Sequence, residues 1–222
     1  MRPHIRFFVS IFFITIFMSL NNVSSITESE FEKFYTGISG FGIEYSETKK
    51  ISDAGSSSTY GEIKYSSLEK LLDDLKISSQ DVFYDLGSGV GKVTAQVYLN
   101  SPAKKCIGIE LSDTRHDKAQ KAKSLIAQNK KLGAVRELNF VHGDIVKENI
   151  DDATVVFMCS TCYPESLMKN LTEKFSNLNK NLRILSLKAL PENNHFKLTK
   201  TYQLPMTWSS ASTVHLYEFK NK

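Results

Sequence analysis

Asp85-Leu86-Gly87-Ser88-Gly89-Val90-Gly91 joins a short apolar run, residues 82–86, to a stretch with helical character, residues 92–99. An apolar run that ends in closely spaced glycines and continues as a helix is typical of the first strand-to-helix turn in an α/β sheet. In such sheets ligands bind beyond the carboxyl ends of the strands, and this turn commonly forms one wall of the crevice. The stretch therefore predicts a strand, a glycine turn, a helix and a ligand site. A tight turn without a ligand is the alternative.

Strands and helices alternate from this turn towards the C-terminus. Helical patterns occupy residues 113–132, with Gly133 as the stop, and the region after Pro164, where Leu167, Leu171, Phe175 and Leu178 recur in steps of three or four. Further strand-like runs occupy residues 106–110, 138–142, 154–158, 182–187, 196–204 and 212–219. The alternation predicts an α/β, doubly wound, mostly parallel Rossmann-like sheet. The last two runs, with no helix between them, predict a C-terminal antiparallel hairpin at one sheet edge.

Two features precede the turn. Leu68, Leu71, Leu72 and Leu75 share one helical face, and Ser66 with Glu69 has the spacing of a capping box, so a helix is predicted here. Residues 26–58 show no sustained period and are interpreted as a lid or packing segment. Residues 59–222 would then form one domain. A chain of 222 residues with 41% hydrophobic residues suits a single core.

The net charge of the chain indicates whether it binds nucleic acid, and its N-terminal residues indicate where the protein is located. The formal net charge is +4, and the sequence lacks the dense basic stripe of a nucleic-acid module. Direct nucleic-acid binding is therefore not expected. Arg2 and Arg6 precede an apolar run at residues 7–20, and Val23 and Ser25 fit a cleavage signal. Residues 1–25 therefore predict a signal peptide and an exported chain with no membrane span after cleavage. A membrane anchor, if the signal stays uncleaved, is the alternative.

Three acids follow three successive strands and suggest which ligand the turn binds. Asp85 precedes glycines spaced as GxGxG, whereas the dinucleotide fingerprint is GxGxxG, and a carboxylate there repels phosphate but suits an ammonium group. Glu110 ends the next strand, where it can accept both ribose hydroxyls. Asp144 follows the third strand, where it can accept from an adenine amino group. The pattern points to S-adenosyl-L-methionine, although a helix-capping role is open for Glu110 and Asp144 separately.

These residues resemble the class I methyltransferases and, among them, the DOT-type (disruptor of telomeric silencing) histone-lysine methyltransferases. Tyr60-Gly61-Glu62 resembles the YGE loop of that family, residues 85–91 match its DLGSGVG turn, and Glu110 and Gly143-Asp144 resemble its acids. Residues 156–165, VFMCSTCYPE, resemble VFVNNFAFGPE with one residue missing, and Trp208 resembles a late tryptophan. The resemblance implies S-adenosylmethionine-dependent methyl transfer to a protein lysine. The cofactor-binding candidates are Tyr60, Gly61, Glu62, Asp85, Leu86, Gly87, Ser88, Gly89, Val90, Gly91, Glu110, Asp144 and Ile145.

The acceptor side departs from that family. Cys159 and Ser160 stand where the family has paired asparagines, and no segment here resembles its basic nucleosome-binding extension, so histone specificity is not carried over. A neutral lysine needs an apolar channel, for which Tyr163 and Trp208 are the candidates, with Ser160 or Thr161 orienting the amine. Packing roles are open for Tyr163 and Trp208. A small-molecule methyltransferase and a non-catalytic S-adenosylmethionine-binding protein are the alternative functions.

Cys159 and Cys162 form a C-x-x-C beside the predicted channel. No nearby residues complete a four-ligand zinc site, so no metal is predicted. The two thiols are interpreted as small side chains that fill a turn, and a disulfide in an oxidising compartment is the alternative. The sequence does not indicate an oligomeric state.

Overall fold

The computed structural model describes residues 25–129, 136–178 and 180–220. The predicted signal peptide covers residues 1–25, of which residues 1–24 lie outside the described residues, as does Gly133. None of the helices in the described part of the chain combines the length and hydropathy that a membrane span requires. The helices are α1 (Glu28–Lys33), α2 (Tyr45–Asp53), α3 (Tyr65–Leu75), α4 (Lys92–Asn100), α5 (Asp113–Ala127) and α6 (Glu165–Ser176). The strands are β1 (Val82–Leu86), β2 (Lys105–Glu110), β3 (Glu137–His142), β4 (Val155–Met158), β5 (Arg183–Ser186), β6 (Phe196–Leu204) and β7 (Ser212–Phe219).

The seven strands form one sheet in the order β3-β2-β1-β4-β5-β7-β6. Strands β1 to β5 are parallel, whereas β7 runs antiparallel to both β5 and β6. The predictions of a mostly parallel α/β sheet and of a C-terminal antiparallel hairpin are confirmed. Strand order reverses between β1 and β4, so the carboxyl ends of β1, β2 and β4 open onto the switch point where such folds bind ligands.

Each face of the sheet carries its own hydrophobic cluster, because successive side chains of a strand point to opposite faces. In β1, Phe83 joins a cluster with α1, α3, α4 and α5, whereas Tyr84 and Leu86 join a cluster with α6. In β4, Phe157 and Val156 divide between the clusters in the same way. All five residues of β1 are buried, as expected for a central parallel strand covered on both faces.

Residues 26–58 contain two short helices rather than irregular chain. Phe31 of α1 is buried in the core with Tyr35 and Ile38, and Ile51 is the buried apolar residue of α2. Neither helix is long enough to show an extended 3.6-residue pattern, which is why the periodicity analysis missed them. Thr27 and Glu30 form the reciprocal capping box of α1. This motif is visible in the sequence and was the available signal.

Two helix boundaries differ from the sequence-based expectation. Helix α3 begins at Tyr65 after the N-cap Lys64, without a side-chain capping bond, so the predicted capping box of Ser66 and Glu69 is wrong. Ser66 lies inside the first turn, two residues after the N-cap position, and so cannot cap it. Helix α5 ends at Ala127 rather than at residue 132, because its buried face ends at Ile126.

Candidate active site

The glycine turn is shaped by close contacts as well as by backbone conformation. Gly87, Gly89 and Gly91 have φ of +83°, +57° and +84°, a region that side-chain-bearing residues rarely adopt. A β-carbon at Gly87 would lie 2.1 Å from the Tyr163 hydroxyl, and one at Gly89 would lie 2.6 Å from the Tyr60 ring. Two aromatic side chains therefore press on the turn, and only glycine leaves room for them.

Asp85 is the penultimate residue of β1 and is buried. Its side chain is 2% exposed and accepts a hydrogen bond of 3.1 Å from the Thr94 hydroxyl of α4. The pKa of Asp85 is raised to about 7, mainly by burial. The negative charge of Glu110 also raises this pKa, and the hydrogen bonds from Thr94 oppose the shift in part. A carboxylate held at such a cost gains from a cationic partner, as an ammonium group would provide.

Glu110 ends β2 and connects the glycine turn to α5. Its Oε2 accepts from the Gly89 N–H at 2.7 Å, and its Oε1 accepts from the Ser112 N–H at 2.9 Å. Each carboxylate oxygen can accept a second hydrogen bond. Glu110 therefore fixes the turn and keeps acceptor capacity for a ligand with two neighbouring hydroxyl groups.

Asp144 lies in the loop after β3. Its Oδ1 accepts from the Val146 N–H at 2.9 Å, and its Oδ2 pairs with Lys147 at 3.2 Å. The Lys174 ammonium of α6 donates to the Ile145 carbonyl at 2.9 Å, the Val146 carbonyl at 3.0 Å and the carbonyl of Glu148. Burial lowers the pKa of Lys174, and nearby acids oppose that shift. Lys174 thus holds the loop that carries Asp144 and Ile145.

The loop of Tyr60, Gly61 and Glu62 lies above the turn. The Tyr60 hydroxyl donates to Glu62 at 2.7 Å, and burial together with the Glu62 charge and that hydrogen bond raises the pKa of Tyr60. A β-carbon at Gly61 would meet the Trp208 ring at 2.4 Å, so the indole packs directly on this backbone. Glu62 also pairs with Lys92 at 3.2 Å.

The acceptor side follows β4. Trp208 is 45% exposed and lies on Gly61, so it is not a core residue. The buried Tyr163 donates its hydroxyl to the Leu86 carbonyl at 2.7 Å and packs on the glycine turn. Burial raises its pKa, as do the charges of nearby acids and of Cys159. Thr161 lines the same cavity.

Ser160 does not fit its predicted role. It is fully buried, its hydroxyl is 2.7 Å from the Ser186 hydroxyl and accepts from the Lys188 N–H at 2.9 Å, and it is not among the cavity-lining residues. The Ser160 hydroxyl is therefore engaged with the last residue of β5 and with the loop that follows it. Of the two oxygens predicted to orient an amine, the structure brings only that of Thr161 to the cavity.

A cavity of about 650 Å³ brings most of the candidates together. Leu86, Val90 and Gly91 do not line it: Leu86 and Val90 are core residues, and Gly91 packs on Phe140. The Ser88 hydroxyl is buried at this cavity and has no hydrogen-bond partner among the described residues. The predicted residues that line the cavity are Tyr60, Gly61, Glu62, Asp85, Gly87, Ser88, Gly89, Glu110, Asp144, Ile145, Thr161, Tyr163 and Trp208.

Several cavity residues were missed by the sequence analysis. Arg115 of α5 and Lys92 of α4 line it, although each helix was read only for its apolar pattern and end charges. Glu32 of α1 lines it because the N-terminal segment packs beside the glycine turn and its carboxylate pairs with Lys92 at 3.2 Å. Lys92, the first helical residue after the turn, could have been identified from its position.

The three cysteines are free thiols. Cys159 lines the cavity and its thiol contacts the Gly61 carbonyl at 3.8 Å; burial raises its pKa to about 12, with smaller contributions from neighbouring charges. Cys159 and Cys162 are therefore not joined by a disulfide in this structure. Within residues 25–129, 136–178 and 180–220, no group of three His, Cys, Asp or Glu residues is placed to hold a metal ion.

Comparison with known proteins places this site in a family. The sequence model of the family described as histone methylation protein DOT1 matches residues 44–220. The chain belongs to the DOT1 family. It is 33% identical over 146 residues to an H3 lysine-79-specific histone-lysine N-methyltransferase from Drosophila melanogaster, covering 63% of this chain and 8% of that protein. The predicted resemblance to the DOT-type methyltransferases is confirmed.

A second relative and a solved structure extend the comparison for this DOT1-family chain. It is 29% identical over 107 residues to a protein-lysine N-methyltransferase from Saccharolobus islandicus, covering 48% of this chain and 63% of that protein. The chain thus spans less than two thirds of the length of these curated relatives. An RNA methyltransferase from Salinibacter ruber, solved with S-adenosyl-L-homocysteine, superimposes with a TM-score of 0.51 at 21% identity, covering 70% and 91% of the two chains. This likeness shows the class I methyltransferase fold.

Proposed function

We propose that this chain is an S-adenosyl-L-methionine-dependent protein-lysine methyltransferase. The observation that carries the proposal is the placement of Asp85, Glu110 and Asp144 along one cavity, around a glycine turn. Thr161 and Trp208 line the same cavity. The first three suit the amine, sugar and base of the cofactor. The last two offer a polar atom and an apolar surface to a second substrate.

The residues present fit this cofactor. Asp85, whose pKa near 7 reflects an unpaired buried carboxylate, would pair with its ammonium group. Glu110 would accept from the ribose hydroxyls with its spare lone pairs, and the orphan Ser88 hydroxyl offers a further donor. Asp144 and Ile145 would contact the adenine. When bound, the sulfonium supplies an activated methyl group for in-line displacement.

The contribution of the protein is mainly positioning and desolvation. A lysine with a pKa of about 10.4 costs about 4 to 5 kcal/mol to neutralise at pH 7. An apolar surface such as the Trp208 ring at the cavity would lower this cost, because desolvation disfavours the ammonium form. The Thr161 hydroxyl can orient the amine, and Tyr163 keeps the turn in place through its bond to Leu86. Alignment of the lone pair with the sulfur–methyl axis supplies roughly 7 to 11 kcal/mol.

The substrate class rests on the relatives, whose names specify protein lysines and, in Drosophila, H3 lysine 79. A small-molecule acceptor is the second candidate, because Phe31, Glu32 and Ile51 of the N-terminal segment also line the cavity, as a lid would. The 45% exposure of Trp208 favours a protein, since it leaves an aromatic surface open at the cavity.

We expect the purified chain, mixed with methyl-labelled S-adenosylmethionine and a cell lysate, to label protein bands at lysine. Asp85→Ala is expected to abolish the label, and Lys197→Ala, on the edge strand β6, is the matched surface control. Label in small molecules instead of protein supports the second candidate. Calorimetric binding without transfer would indicate a non-catalytic cofactor-binding protein, and no binding would contradict the proposal.

We also infer from residues 1–25 that the chain is exported. The support is sequence alone: two arginines, a 14-residue apolar run (residues 7–20) and small residues at a cleavage position. Amino-terminal sequencing of the protein from its native cells is expected to start near Ile26. A start at Met1 in a membrane fraction would instead indicate an uncleaved anchor, and a start at Met1 in the cytosol would contradict export.

A further inference from the structure

Arg115 is a buried cation with no acidic partner in its hydrogen bonds. It lies in the first turn of α5 and is 5% exposed. Its Nε donates to the Gly40 carbonyl at 2.9 Å and its Nη2 donates to the Ser58 carbonyl at 2.7 Å. The guanidinium therefore joins two backbone positions that lie 18 residues apart, on either side of α2.

The face of the same guanidinium lies over Tyr60. The Arg115 Cζ is 4.8 Å from the centroid of the Tyr60 ring, within the range of a cation–π contact. The backbone at two glycines also lies close to this ring. A β-carbon at Gly40 would lie 2.0 Å from the ring, and one at Gly89 would lie 2.6 Å from it. Tyr60 is thus held between the N-terminal segment, the glycine turn and Arg115.

Other contacts hold the N-terminal segment on α5 independently of Arg115. The buried Glu47 accepts from the Thr114 N–H at 2.9 Å, from the Thr114 hydroxyl at 2.7 Å and from the Ser112 hydroxyl. Lys50 pairs with Asp113 at 3.0 Å. Loss of the Arg115 side chain would therefore remove one of the contacts that hold Tyr60 without detaching α2 from α5.

We propose that Arg115 is a positioning residue that holds the Tyr60 ring against the Gly89 backbone and so keeps the glycine turn in its cofactor-binding shape. The inference rests on the proposed function. Arginine suits this role because its planar group can donate in two directions and stack on an aromatic face at once, which a lysine ammonium cannot do. Arg115 contacts no reacting atom in this role, so it would act through cofactor affinity.

The test compares Arg115→Met with Arg136→Met. Arg136 is a matched control because it also donates to backbone carbonyls, of Tyr98 at 2.6 Å and of Ser101, and lies 4.7 Å from the Tyr98 ring, away from the cavity. We expect Arg115→Met to weaken calorimetric binding of S-adenosylhomocysteine at least about tenfold, and Arg136→Met to change it less than about twofold. In the methylation assay the KM for the cofactor should rise with little change in kcat.

A second variant protects the test against misfolding. Arg115→Lys keeps the charge but not the planar group. Its affinity for S-adenosylhomocysteine is expected to fall at least about threefold, while its melting temperature stays close to that of the wild type. A double-mutant cycle with Tyr60→Leu should be non-additive, because both changes release the same ring. Wild-type affinity in both Arg115 variants would overturn the inference while leaving the proposed function intact. Failure of the wild-type chain to bind would instead refute the proposed function.

Discussion

Asp85→Asn is expected to raise the melting temperature of the cofactor-free protein at pH 8 and to weaken S-adenosylmethionine binding at least about thirtyfold. The two effects have one cause, the unpaired buried charge of Asp85. An asparagine oxygen can still accept from Thr94, so the substitution removes the charge while keeping the shape and the contact of 3.1 Å. The variant therefore separates the effect of the Asp85 charge on folding stability from its effect on cofactor binding.

The raised pKa of Asp85 determines how the stability of the cofactor-free protein changes with pH. With a folded-state pKa of about 7 against an ordinary value of 3.8, Asp85 retains its proton in the folded chain and loses it in the unfolded chain between about pH 4 and pH 7. Stability therefore falls as pH rises through that window, and the full penalty, about 4 kcal/mol, applies above it. Cofactor affinity should change the other way and fall below pH 7, where the empty site holds a neutral acid.

Thermal unfolding and calorimetry between pH 5 and pH 8 check both statements. Asp81→Asn is the opposite control: although burial raises its pKa, hydrogen bonds from Ser78 and Thr154 and the Arg183 charge lower it overall. Its removal should lower the melting temperature at pH 8. A stability of Asp85→Asn that follows the wild-type pH profile would contradict the assignment of this penalty to Asp85.

Gly87→Ala is expected to abolish cofactor binding and to destabilise the chain by about 3 kcal/mol or more. Its φ of +83° costs a residue with a side chain about 1 to 2 kcal/mol. In addition, the new methyl group would lie 2.1 Å from the Tyr163 hydroxyl and would displace it from the Leu86 carbonyl. An unpartnered buried carbonyl adds about 1 to 3 kcal/mol.

Gly37→Ala separates the two contributions to that loss. Gly37 has a φ of +73° and nothing within 4 Å of a β-carbon, so it should show the backbone cost alone. In Tyr163→Phe the hydroxyl is removed, and the next ring atom would lie 3.4 Å from the new methyl, an ordinary contact. The double variant Gly87→Ala with Tyr163→Phe should therefore lose less stability than the sum of the single variants, by denaturant titration. Additivity would show that Tyr163 does not shape the turn.

The sequence was sufficient for the central strands and the acids that follow them. Strand β1 coincides with its prediction because a buried parallel strand is a continuous apolar run, and Asp85, Glu110 and Asp144 follow from strand ends alone. The hairpin strands β6 and β7 were also predicted at their observed bounds. Their order in the sheet was not, because pairing of β7 with β5 depends on long-range contacts that no local pattern encodes.

Side-chain contacts between distant segments account for the rest of the site. Arg115 was hidden in a helix whose pattern shows only a buried face and polar residues, and its partners Gly40 and Ser58 are backbone groups that leave no residue-type signal. Ser160 is predicted to offer an oxygen that orients the amine, but its hydroxyl lies at hydrogen-bond distance from Ser186 instead. Short helices α1 and α2 escaped because one or two turns provide too few repeats to reveal a period.

The position of β7 has a consequence for how the molecule is made. Strand β6 precedes β7 in the chain, yet it pairs with β7, which also covers the edge of β5. Before β7 has been synthesised, β6 has no partner strand in this sheet and the edge of β5 that β7 covers is open. The sheet is therefore incomplete until residues 212–219 have been synthesised, and the nascent chain must avoid edge-to-edge association until then.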